Sequence, residues 1–160
     1  MRTLKVLLAT IAGFLFFGSY SAIDSNQEVY KSGGIPDIAK EIKATTQSNQ
    51  QTGIQLYNKY CLTCHQADGT GVRGMFPPLA GNGKITGSST DLIRIVLFGM
   101  EGPLTVNGKE YNQPMPAQGY LSDKQIADIL SFVRNNWGNK APQITTADVG
   151  KVRKLGKPKN

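Results

Sequence analysis

The first feature of the hydrophobic pattern is a mostly apolar stretch, Val6 to Phe17, with Arg2 and Lys5 before it and the small-residue run Gly18 to Ala22 after it. A short basic region, an apolar run and a small-x-small end are the pattern of a secretory signal peptide over residues 1–22, with cleavage after Ser21 or Ala22. As a helix the apolar run is only about 18 Å long, against a hydrocarbon core of roughly 30 Å. Extended through Ile23 it nearly spans, so an uncleaved membrane anchor is the alternative reading. Over residues 23–50 the pattern fades. Gln, Ser, Asn and Thr crowd positions 45–52, and only Ile35, Ile38 and Ile42 recur at helical spacing. This segment is predicted as a polar linker or loosely docked arm.

From Gly53 onward the apolar positions become periodic. Ile54, Leu56, Tyr57 and Tyr60 predict a first helix over Gly53 to Tyr60. Leu92, Ile93, Ile95, Val96 and Leu97 predict a second over Ser88 to Phe98, with Ser89 or Thr90 near its start. A third begins at Ser122, where Gln125 three residues on completes a capping box ahead of Ile126, Ile129, Leu130 and Val133. It is predicted to stop near Trp137 and Gly138. Between the last two, Leu104 to Tyr111 alternates around Asn107-Gly108, the signature of a β-hairpin. The reading is an all-α domain over 51–140, with three main helices and a short hairpin insertion. Residues 141–160 are predicted as a basic disordered tail, because KVRKLGKPKN carries five basic and no acidic side chains.

The chain has 160 residues, enough for one domain with extensions. Its formal charge of +7 changes meaning when it is divided: +2 falls in 1–22, zero in 23–150, and +5 in 151–160. Basicity therefore describes the two ends and is no argument for a nucleic-acid partner. The basic end is read as a solvated extension, or else as a tether to an anionic membrane surface or an acidic partner. With a single His, sites built from several histidines are excluded; with two Cys, so is a disulfide-rich scaffold.

All of those scarce residues stand in one pentapeptide, Cys61-Leu62-Thr63-Cys64-His65. This is C-x-x-C-H, the attachment signature of a c-type haem: each thiol adds to a vinyl group and the adjacent imidazole ligates the iron. A thiol–disulfide centre would need a thioredoxin-like βαβ pattern, and a structural zinc site would need a second ligand pair; neither is present in the sequence. A second axial ligand must come from elsewhere, and with no other His a thioether is the leading donor. Met75, Met100 and Met115 are the candidates beyond the N-terminal segment. Met115 lies between Pro114 and Pro116, in a stiff loop that cannot be helical. Met100 follows an apolar run, as a gap-filling core residue would.

From about Gly53 to Asn139 the chain resembles the class I monohaem c-type cytochromes, most of all the bacterial type found as subunits or domains of periplasmic dehydrogenases and reductases. The matching blocks are CLTCH, FPPLAG (76–81), PMPAQG (114–119) and LSDKQIADILSFVRNNWGN (121–139), in that order. The resemblance implies a small class I fold in which three helices surround one covalent haem c, joined to Cys61 and Cys64. It implies iron ligation by His65 and Met115, and a Pro77 carbonyl that accepts a hydrogen bond from the His65 ring. It also implies that the first and last helices cross at Gly53, with Tyr57 on one side and Ile129 and Phe132 on the other. Val72, Pro78 and Ala117 would contribute to a largely uncharged lip. The function expected is one-electron transfer outside the cytoplasm, between a redox donor and acceptor that the sequence does not identify. No enzymatic activity of its own is expected. The competing reading is a haem enzyme or gas sensor whose sixth ligand is labile or absent.

Overall fold

A computed structural model describes residues 38–157. The signal segment, the first part of the polar arm and the last three residues lie outside the described residues. Among those described, the order is α1 (Ile38–Tyr60), α2 (Leu62–His65), α3 (Gly83–Thr86), α4 (Ser89–Phe98), β1 (Leu104–Val106), β2 (Lys109–Tyr111), α5 (Asp123–Val133) and α6 (Thr146–Leu155). The three predicted helices are α1, α4 and α5, and the predicted hairpin is β1–β2, antiparallel with Val106 opposite Lys109. Asn107 and Gly108 take φ of 50° and 72°, the left-handed pair that a tight hairpin turn requires.

Caps explain where these helices start. Ser88 accepts from the Asp91 N–H at 3.3 Å and opens α4. At α5 the capping box is complete: the Gln125 N–H donates to Ser122 Oγ at 3.2 Å, and the Ser122 N–H donates to Gln125 Oε1 at 2.9 Å. That helix ends at Val133 rather than near Trp137. The Asn135 and Asn136 side chains fold back and donate to the carbonyls of Ser131 and Phe132, which satisfies acceptors that a further turn would have used.

Two sequence expectations are corrected. Residues 38–50 are not a linker: they are the first half of α1, a 23-residue helix whose side chains there are largely exposed. Elongating a helix that is already anchored by packing adds one hydrogen bond per residue without a new nucleus, so a polar segment follows its packed second half. Nor is the segment 141–160 a disordered tail over its described part. Thr145 and Asp148 form a second complete capping box, and α6 buries Val149 and Val152, with Ile144 just ahead, in the main core.

Helix α5 is the centre of the domain, touching α1, α4 and α6. Its closest approach is to α1 at Gly53. A Cβ built there would lie 2.5 Å from the Asp128 carbonyl oxygen and 2.7 Å from Phe132 Cβ, so only hydrogen fits. Phe132 is thus a crossing partner as expected, with the Asp128 backbone as the other contact. Because one obstacle is backbone, relaxation is limited. Gly53→Ala should destabilise the holoprotein by about 2–3 kcal/mol, the upper part of the range for overpacked cores, read as a lowered urea midpoint. An unchanged midpoint would mean that the two helices do not meet this closely.

Candidate functional site

The last turn of α1 runs directly into the haem-motif residues. Cys61 precedes α2, and the Cys64 and His65 N–H groups both donate to the Cys61 carbonyl, at 3.2 and 3.0 Å. One helical turn therefore sets the two sulfurs a turn apart, with His65 next in line. Both cysteines are free thiols and half-buried. Gln66, with φ of 63°, ends the turn, and its carbonyl accepts from Tyr57 Oη at 2.6 Å. Burial foremost, then the nearby Cys61 and Asp68, hold the Tyr57 hydroxyl above its ordinary pKa, so it remains a donor.

Beyond Gln66 the chain forms a strap over residues 66–81 that returns beneath the imidazole. Gly71 is needed for this return: a Cβ there would stand 2.3 Å from the Phe76 oxygen and 2.7 Å from the Pro77 oxygen. The Pro77 carbonyl lies 3.1 Å from His65 Nδ1. A carbonyl can only accept, so Nδ1 carries the proton and Nε2 keeps the lone pair. Burial lowers the pKa of His65, against the smaller opposite effect of the Pro77 bond. A neutral imidazole with one nitrogen pinned is the form that ligates a metal.

The strap is fastened to the end of α5 by side chains that sequence reasoning did not single out as fasteners. Trp137 donates from Nε1 to the Ala67 carbonyl at 3.1 Å, and its ring abuts Gly69. Asn139 is buried; its Oδ1 accepts from the Gly81 N–H at 3.2 Å, and its Nδ2 donates to the carbonyls of Leu79 and Val133. Their partners are backbone atoms, so no residue pairing in the sequence marks them.

Cys61, Cys64, His65, Pro77 and Met115 all line one cavity, with an empty volume of about 1140 Å³ counting its open mouth. Its walls are Leu92, Ile95 and Val96 from α4 and Ile129, Leu130 and Val133 from α5, with Tyr57 and Tyr60 of α1, Leu79 and Ile85. Val72, Pro78 and Ala117, the expected lip residues, do not line it, although their neighbours Phe76, Pro77 and Pro116 do. Met100 also lines the cavity; Met75 does not, and is exposed. Met100 and Met115 are backbone partners: each N–H donates to the other's carbonyl, at 3.0 and 2.9 Å. The hairpin hangs from this pair, so it closes the base of the loop that presents Met115.

These residues fit a covalent haem. Two free thiols one turn apart and an oriented imidazole border an apolar space that the fold leaves at its core. Burial first and Cys64 second push the Cys61 thiol up to about 11, so the thiolate is disfavoured at Cys61. Among the described residues, no three His, Cys, Asp or Glu side chains group to hold a bare metal ion.

Comparison with known proteins agrees. A family model described as cytochrome c matches residues 50–137, more than half of the chain. The chain is 43% identical over 109 residues to the cytochrome c subunit of a quinone alcohol dehydrogenase from Gluconobacter oxydans (strain 621H), covering 66% of this chain and 23% of that subunit. It is 36% identical over 143 residues to the gluconate 2-dehydrogenase cytochrome c subunit of Pantoea cypripedii, covering 87% of this chain and 31% of the relative. Against cytochrome c-552 of Thermus thermophilus the figures are 37% over 94 residues, 56% of this chain and 71% of the relative. The chain thus spans less than a third of the two dehydrogenase subunits and most of the small cytochrome. With the motif, the mostly helical frame and the family match in agreement, the chain belongs to the class I c-type cytochromes, electron-transfer proteins carrying a covalently bound haem c.

Proposed function

We propose that this chain is an extracytoplasmic one-electron carrier whose haem iron is held by His65 and Met115. One observation carries the ligation: the pinned His65 imidazole and the Met115 loop border the same apolar cavity as the two thiols. When bound, the haem supplies an iron that cycles between ferric and ferrous states. The protein does the rest. Cys61 and Cys64 fix the group covalently, Pro77 keeps the imidazole turned with Nε2 inward, and the aliphatic walls keep water from the iron. With His65 and Met115 both holding the iron, the bound group would keep no open site for a substrate, which favours a carrier over a haem enzyme or sensor.

An extracytoplasmic location is supported by the signal-peptide pattern of residues 1–22. Among the described residues, no helix is long and apolar enough to cross a membrane. The relatives named as cytochrome c subunits of alcohol and gluconate dehydrogenases point to a donor of that kind. In this reading the domain takes electrons from a dehydrogenase's catalytic partner and passes them to a further acceptor.

The test is the absorption spectrum of the purified holoprotein. Low-spin ferric and ferrous forms with a methionine–iron charge-transfer band are expected. A high-spin ferric spectrum that binds cyanide at once would put the protein among sensors or haem enzymes instead.

A further inference from the structure

The Met115 loop is held at its start by the backbone pair with Met100. Past the ligand, the Gln118 N–H donates to the Val96 carbonyl at 2.8 Å. The next stretch, Gly119 to Leu121, carries the exposed Tyr120 and reaches the first turn of α5. Leu121 is buried in the core and the Tyr120 ring meets Tyr60 edge-on, and one side chain from α6 reaches the carbonyls on both sides of Tyr120. Arg153 Nη1 donates to the Gly119 carbonyl at 2.6 Å and Nη2 to the Leu121 carbonyl at 2.7 Å. Its Nε donates to Asp123 Oδ1 at 2.7 Å, an ion pair in which both side chains are about one-third exposed. The backbone of α6 is in turn fixed by buried Val149 and Val152.

We propose that Arg153 is a positioning residue for Met115. The proposal rests on the reading of Met115 as the iron ligand. The planar guanidinium spans both carbonyls that flank Tyr120 and anchors them to Asp123 at the head of α5. A loop clamped at both ends cannot swing its thioether away from the cavity without breaking the fork. Without it, the two carbonyls turn to water and the exit is left to the Gln118–Val96 bond and buried Leu121. Lysine cannot substitute fully, because a point charge on a flexible stem does not bridge two acceptors in a plane. Arg153 also stands beyond residue 137, where the family match ends, so the clamp is an addition to the matched domain.

The test measures how fast cyanide displaces the thioether in the ferric holoprotein, followed as loss of the methionine–iron band. Arg153→Ala should react at least about tenfold faster, the effect of losing one hydrogen bond to a charged group. Arg153→Lys, which preserves the charge opposite Asp123, should fall between the two and also tests the idea if the alanine variant folds poorly. Gly53→Ala loosens the α1–α5 crossing without touching α6 or the fork; it should lower the denaturation midpoint while its cyanide rate stays near wild type. A wild-type rate in both Arg153 variants overturns the proposal, and so does a Gly53→Ala rate raised as much as that of Arg153→Ala. Met115→Ala keeps the two ideas apart: if its charge-transfer band persists, the ligand reading is wrong whatever the Arg153 variants do.

Discussion

A Met115→Ala holoprotein should lose the methionine–iron charge-transfer band and bind cyanide readily in its ferric form. Its reduction potential should fall by at least about 0.1 V, a modest part of the roughly 0.8 V over which axial ligands set haem potentials. The direction follows from the ligand: a thioether favours the ferrous state, and its loss leaves water or a weak exogenous donor. The informative companion is Met100→Ala. Met100 lines the same cavity and pairs with Met115 through its backbone, so it is the one thioether close enough to be mistaken for the ligand. The pairing uses main-chain atoms only and survives truncation at either side chain. Met100→Ala should therefore keep the band and the potential. The reverse pattern would assign the iron to Met100.

The largest effect is expected where the cofactor is attached. A Cys61→Ser/Cys64→Ser double variant has no thiol to join to the haem, and its cavity faces are the central face of the fold. Leu92, Val96, Ile129, Leu130 and Val133 would border an empty space at the meeting of α4 and α5. A cavity of that size forfeits dispersion contacts on every wall, and a domain this small has little other core to offset the loss. The variant should show reduced helical circular dichroism and no cooperative urea transition. A sharp transition with a native-like slope would show that the helices are stable without the haem.

How much of this was legible in the sequence depends on whether the signal was local. Cys61, Cys64 and His65 stand as neighbours in one C-x-x-C-H motif, so five residues sufficed to point to the haem. The α5 start was legible because Ser122 and Gln125 satisfy each other within one turn. The first half of α1 was only hinted at, by Ile38 and Ile42 at helical spacing, because none of its side chains is fully buried and no apolar stripe continues through it. Helix α6 did leave a signal, Thr145-x-x-Asp148 followed by Val149 and Val152, but the surrounding lysines read as a solvated end. Pro77 came from the resemblance; its role is seen only once the 66–81 strap returns to the imidazole. Arg153 and Asn139 were beyond reach, since each works on backbone carbonyls far away in sequence, and any residue type can supply those.

The strap under His65 has a consequence for how the protein loosens. Its fastenings, Tyr57 on Gln66, Trp137 on Ala67 and Asn139 on Leu79 and Gly81, run to α1 and the end of α5, and one longer bond, Asn107 Nδ2 to the Gly81 carbonyl at 3.4 Å, runs to the hairpin. None of these bonds reaches α4 or α6, where Gln118 and Arg153 fasten the Met115 loop. Cooperative opening units follow such bonding groups. With His65 and Met115 as the proposed ligands, a fluctuation that undocks α6 frees the Met115 loop first, while the imidazole side stays at the stability of the helix crossing. The cytochrome would then breathe from one side, and its transient open form would still carry its histidine.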